Sequence, residues 1–172
     1  MPQPQRRPQT TRRQPQKEVI DSYNIIKFFA LWIVFGLIAF GVKTVVMSAI
    51  KMSPTGQVGN GTLTLYEVHN TGAAFNLFAG QPEAIITASM ITVLIIAFIV
   101  LFASTKFNQP ALSALAFLNA GITMNMLERM KDGFVTDYIH CDFLQNFPVF
   151  NVPDIMIVVG AISLILSILT KK

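Results

Sequence analysis

Hydrophobic and polar positions fall along this chain in long blocks. Phe28 to Val42 (FFALWIVFGLIAFGV) carries no charge, and after Lys43 the apolar run resumes as TVVMSAI. Ala84 to Ala103 is uncharged throughout, close to the ~20 residues needed to cross a hydrocarbon layer of about 30 Å. A third stretch, Pro110 to Leu127, is diluted by Asn119, Gly121 and Asn125, and a fourth runs from Phe150 to Thr170. The pattern predicts a mainly α membrane protein, a bundle of four transmembrane helices whose first member spans about Lys27 to Ile50. Between the first two helices, Thr62-Leu63-Thr64-Leu65-Tyr66-Glu67-Val68 alternates polar and apolar, which predicts a half-buried strand.

Composition narrows the class. A hydrophobic share of 52% with 13% charged residues and a mean hydropathy of +0.53 exclude an ordinary soluble domain. The 172 residues leave room for one domain, placed at 23–172. Residues 1–22, rich in Gln, Pro, Arg and Thr, read as a disordered basic tail with almost nothing to bury. The apolar stretch after this tail is longer than the core of a secretory signal and lacks a small-x-small site, so it is expected to stay uncleaved.

The basic residues set the orientation. Arg6, Arg7, Arg12, Arg13, Lys17, Lys27, Lys106, Lys171 and Lys172 lie on one side of the four spans, and Lys51, Arg129 and Lys131 on the other. By the positive-inside rule both termini are expected in the cytoplasm and both polar loops outside. The basic tail is accounted for in the same way, so no nucleic-acid partner is expected.

Candidate chemistry concentrates in Asn125 to Asp154, which holds Glu128, Asp132, Asp137, Asp142 and Asp154. Asp154 lies on the first turn of the last helix, beside a proline suited to a helix start. Asp137 is expected at the outer interface, between a turn and a helix. If the loop folds back, the two carboxylates meet and share a proton, one as base and one as acid, the requirement for metal-free peptide hydrolysis. The alternative is that one caps a helix while the other is solvated. Glu128 and Arg129 are expected to form an interfacial ion pair, and Asn125 and Asn151 to orient carboxylates or a substrate backbone. Lys43 either snorkels to the outer interface or faces the interior and meets a polar group. The lone Cys141 forms no internal disulfide, and His69 and His140 stand far apart without an HExxH motif, so no metal or other cofactor is expected.

Three ordered motifs resemble those of the lipoprotein signal peptidase (signal peptidase II) family. His69-Asn70-Thr71-Gly72-Ala73-Ala74-Phe75 is similar to its NxGAAF motif. Asn125-Met126-Leu127-Glu128-Arg129 followed by Gly133-Phe134-Val135-Thr136-Asp137 resembles its GN-x-x-DR…G-x-V-x-D block, and Phe150-Asn151-Val152-Pro153-Asp154 its FN-x-AD motif. The resemblance covers about residues 28–170. It implies an intramembrane aspartyl endopeptidase of the bacterial cytoplasmic membrane, with a small extracytoplasmic antiparallel β-cradle beside the helices. Its substrates would be diacylglyceryl-modified prolipoproteins carrying a lipobox, cut before the lipidated cysteine. Asp137 and Asp154 would be catalytic, and Asn70, Gly72, Asn125, Arg129, Asn151 and Lys43 would position the substrate and the pair. No cofactor is implied, and the expected surroundings are membrane lipids around a monomer.

The chain departs from the family pattern at several points. Ala39 stands where an aspartate usually precedes the lysine by four residues, so Lys43 is expected to lack its partner. Met124 replaces a glycine and is expected to crowd its helix face, Glu128 replaces an aspartate, and Pro153 and Ile155 flank Asp154. A family-derived membrane protein that binds lipoproteins or partners without cleaving them is the alternative function. A small transporter subunit would require polar residues through the bilayer depth, which the second and fourth helices largely lack.

Overall fold

The structure is a computed structural model, and it describes residues 22–72, 80–144 and 146–170. The tail at 1–21, Ala73, Ala74 and Phe75 of the first motif, and the C-terminal Lys171 and Lys172 lie outside the described residues. Four helices are long and apolar enough to cross a membrane. They are α1 (Ser22–Met52), α2 (Pro82–Ala103), α3 (Gln109–Asp132) and α4 (Val152–Leu169), with a short 3-10 turn, Ser104–Lys106, between α2 and α3. Outward-facing Ile33, Leu37, Phe98, Phe102, Ile162 and Ile165 are all more than half exposed, a large apolar surface of the kind that a hydrocarbon solvent covers.

The helix α3 is the buried one. It packs against the other three, and its more polar sequence is tolerated because Asn119 and Asn125 face neighbours rather than lipid. Its start is set by Asn108, whose side chain accepts the Ala111 N–H at 2.9 Å and the Ser167 hydroxyl of α4 at 2.6 Å. Near that end Asn24 of α1 donates to the Ser104 carbonyl, and Gln109 links Asn24 to Lys27 through bonds of 2.7 and 2.5 Å. Beyond this polar rim, Phe28, Ile96, Val100, Leu112, Leu115 and Ala116 form the main core.

At the other end Gly133 adopts a left-handed φ of 80° and caps α3, its N–H bonded to the Arg129 carbonyl at 2.9 Å. The chain then enters a three-stranded antiparallel sheet of order β1 (Val58–Gly59), β2 (Leu63–Asn70) and β3 (Val135–Cys141). The expected strand Thr62–Val68 is therefore present and runs two residues further, to Asn70. The strand β3 is a correction: Asp137 lies within a strand, not between a turn and a helix. Val135, Tyr138 and Ile139 are strand formers, but the first four residues of β3 are all buried, so the alternation that would announce it is absent.

The third and fourth helices also differ from their expected bounds. The former runs on past Leu127 to Asp132, carrying Glu128 and Arg129 inside it, and the latter begins at Val152 with Asn151 as its N-cap. Met124 is partly buried on the side of α3 that faces α1 and α4. It packs with Ala39, Ala120 and Met156, and its sulfur lies 3.6 Å from where a Cβ on Gly36 would be.

Candidate active site

Two carboxylates on different elements line one cavity of about 740 Å³. Asp137 projects from β3 and Asp154 from the first turn of α4. Each of their four oxygens has an amide donor. Asn70 Nδ2 reaches Asp137 Oδ2 at 2.9 Å, and Asn151 Nδ2 reaches Asp137 Oδ1 at 2.8 Å. Asn125 Nδ2 reaches Asp154 Oδ1 at 2.8 Å, and the Asn151 backbone N–H reaches Asp154 Oδ2 at 3.0 Å.

Asn151 is the hub. Its side-chain oxygen accepts the Asp154 N–H at 2.8 Å, closing a reciprocal capping box, while its Nδ2 serves Asp137 and also Asn125 Oδ1 at 3.2 Å. Asn151, 1% exposed, thus ties both carboxylates to the start of α4, Asp137 through its side chain and Asp154 through its backbone N–H. Asp154 caps its helix and also lines the cavity, while Asp137 is buried at 3% exposure and not solvated.

The strand and the helix are sewn together beside these residues. Phe150 exchanges backbone bonds with Ile139 at 2.8 and 3.1 Å, and the Tyr138 N–H donates to the Phe150 carbonyl at 3.0 Å. The Tyr138 hydroxyl accepts the Val152 N–H at 3.3 Å, satisfying a donor that the helix leaves open. Sequence reasoning missed Tyr138, which is 1% exposed; a tyrosine directly after the aspartate, in a run of strand formers, was the available signal.

Burial raises the Asp137 carboxyl from its ordinary value of 3.8 to about 6. The Asn70 bond opposes burial, the Asp154 charge adds to it, and the Asn151 bond and the Arg129 charge oppose it. Near neutral pH both protonation states of Asp137 are therefore accessible.

The expected site residues divide into two groups. Asn70, Asn125, Arg129, Asp137 and Asp154 line the cavity; Asn151, Gly72 and Lys43 are not on its wall. Gly72 acts through its backbone. Its N–H donates to Asn70 Oδ1 at 2.9 Å, and its carbonyl accepts from Arg129 Nη2 at 2.6 Å. Arg129 is 7% exposed and also bonds the Asn125 carbonyl, so the ion pair expected with Glu128 does not form. Glu128 instead pairs with Lys43, which turns inward and also donates to Thr136 Oγ1 at 3.1 Å. Lys43 thus has a partner after all, supplied by another helix in place of its own.

The remaining cavity wall is largely apolar, with Ile85 from α2, Ile122 from α3, Ile157 and Val158 from α4, and the Phe147–Phe150 segment. Among the described residues no three His, Cys, Asp or Glu side chains are placed to share a metal ion.

The family model described as Signal peptidase (SPase) II matches residues 19–170. The chain belongs to the signal peptidase II family. It is 34% identical over 141 residues to the lipoprotein signal peptidase of Dehalococcoides mccartyi, covering 80% of this chain and 86% of that protein. It is 36% identical over 141 residues to that of Lactococcus lactis subsp. cremoris, covering 81% and 92% respectively. In fold it is similar to a solved bacterial membrane enzyme, with a TM-score of 0.72 at 22% identity over 86% of this chain and 93% of that one. Membership makes the chain a membrane peptidase, and the cavity holding Asp137 and Asp154 is its candidate active site.

Proposed function

We propose that the chain is an aspartyl endopeptidase that removes signal peptides from diacylglyceryl-modified prolipoproteins, cutting before the lipidated cysteine. Asp137 and Asp154 are the catalytic pair. The observation that carries this reading is their convergence on one cavity from separate elements, with Asn151 bonded to both. Family membership and the names of the relatives supply the substrate class.

In this proposal the two carboxylates act as base and acid. One carboxylate, ionised, takes a proton from a water molecule as its oxygen attacks the peptide carbonyl carbon. The other, protonated, gives its proton to the carbonyl oxygen, and a tetrahedral diol forms. Collapse of the diol returns a proton to the amide nitrogen as the C–N bond breaks, releasing signal peptide and mature lipoprotein. Close carboxylates favour one proton between them, and a value of about 6 for Asp137 suits that exchange near neutrality. The apolar wall formed by Ile85, Ile122, Ile157 and Val158 suits a hydrophobic signal segment and acyl chains arriving from the membrane. Asn70, Asn125, Asn151 and the Arg129–Gly72 tie hold the pair and the peptide backbone in place.

The test is cleavage of a diacylglyceryl-modified prolipoprotein by the purified protein. Asp137→Asn and Asp154→Asn are each expected to reduce the rate by at least about 10³-fold, as loss of a directly reacting acid or base does. Undiminished cleavage in either variant would remove that residue from the pair. Activity is expected to survive EDTA, because in the proposed mechanism the two carboxylates supply both acid and base; loss with EDTA and recovery with a divalent ion would overturn the metal-free mechanism.

A further inference from the structure

Glu128 precedes Arg129 near the outer end of α3, yet its carboxylate turns away from the cavity. Its Oε1 accepts the backbone N–H of Thr136 at 2.7 Å and also the Lys43 ammonium. Lys43 closes a triangle by donating to Thr136 Oγ1 at 3.1 Å. Three elements, α1, α3 and β3, therefore meet on one oxygen atom, immediately before Asp137. The site is well enclosed: the Glu128 side chain is 13% exposed and Thr136 is 5% exposed.

The strand needs such a tie at this point. The β2–β3 ladder pairs Leu65 with Ile139 and then Val68 with Asp137, so its register shifts directly beside Asp137. Such a shift locally disrupts the ladder and re-aims the strand, and Thr136 beside it has its N–H held from outside the ladder, by Glu128. The Asp137 carboxylate must nevertheless meet Asn70 at 2.9 Å and Asn151 at 2.8 Å, and a displacement of about 1 Å is enough to cost on the order of 10²-fold in rate.

We propose that Glu128 is a positioning residue for Asp137: by holding the Thr136 amide it sets where β3 presents the catalytic carboxylate. The proposal rests on reading Asp137 as catalytic. It differs from the simpler role of neutralising Lys43, because the bond that positions the strand needs an acceptor oxygen of the right reach and not a charge. Lys43 and the Thr136 amide use the same oxygen, so a glutamine can satisfy both.

The test uses the full-length protein and kcat and KM for cleavage of the lipidated substrate, with Glu128→Gln, Glu128→Asp and Glu128→Ala. Glu128→Ala is expected to lower kcat by about 10- to 100-fold, with KM within about twofold. Glu128→Gln is expected to retain more kcat than Glu128→Asp, which keeps the charge but is one methylene short. Hydrogen exchange at the Thr136 amide is expected to be slow in the wild type and Glu128→Gln, and faster in the other two. An unchanged kcat in Glu128→Ala, a loss carried by KM, or Glu128→Asp outperforming Glu128→Gln would overturn the proposal. The last comparison stands even if Glu128→Ala fails to fold. Asp137→Asn separates the two levels: if it still cleaves, both readings fall, and if it is inactive while Glu128→Ala is fully active, only the positioning role falls.

Discussion

Asp137 holds its proton more tightly in the fold than in an unfolded chain, because burial outweighs the amide bonds that favour its charge. The consequence for stability has a definite sign. Below its ordinary value of 3.8 the group is protonated in both states and contributes nothing, and above about 6 it is ionised in both and its full penalty is present. Between these limits the folded protein binds more protons, so stability from this group falls as pH rises. The unfolding temperature of the wild type is therefore expected to decline from about pH 4 to about pH 6 through this group, and Asp137→Asn to remove that part of the slope. An identical slope in the variant, measured by thermal unfolding in detergent, would argue against the assignment. The same titration should place a limb near pH 6 in the pH dependence of kcat/KM.

At the scale of elements, the start of α4 that carries Asp154 packs closely on α3. Two glycines permit the approach. A Cβ on Gly160 would lie 2.8 Å from the Leu118 backbone nitrogen, and one on Gly121 would lie 2.5 Å from the Pro153 carbonyl oxygen. Backbone cannot yield as a flexible side chain can, so each alanine substitution forces the helices apart. Both Gly121→Ala and Gly160→Ala are expected to cost about 1–3 kcal/mol of stability. Gly121 faces the turn that carries Asp154, so Gly121→Ala is expected to lose more activity than Gly160→Ala for the same drop in unfolding temperature. Equal activity losses at matched stability would mean that the crossing does not set the site geometry. Neither glycine was singled out by the sequence for this purpose, because a close approach belongs to the pair of helices.

For the whole molecule, four spans are expected to leave both termini on one side of the membrane and the sheet with its cavity on the other. The distribution of basic residues gives the sign of that arrangement, with the Lys106 turn expected in the cytoplasm and the β1–β2 region outside. In a Cys141→Ser background, Gln57→Cys is expected to react with a membrane-impermeant maleimide added to intact cells, and Thr105→Cys only after permeabilisation. The opposite pattern would invert the topology and place the cavity at the cytoplasmic face. Both positions are exposed, so accessibility does not limit the labelling.

Much of this protein is legible in its sequence. Hydrophobic blocks of membrane-crossing length determine helices one by one, since each satisfies its own backbone in lipid, and the TLTLYEV alternation located β2. The motifs around Asn70, Asn125, Asp137 and Asp154 marked the residues that the fold gathers at the cavity. The tertiary structure alone decided which groups bond to which. Asn70 meets Asp137 across 67 positions of sequence, and Lys43 meets Glu128 across 85. Such pairings depend on helix crossings, the register of β3 and the cap of α4 acting together. That is why the local pattern suggested a Glu128–Arg129 pair, and the family resemblance a partnerless Lys43, whereas the packed molecule gives Lys43 to Glu128 and leaves Arg129 to hold Gly72.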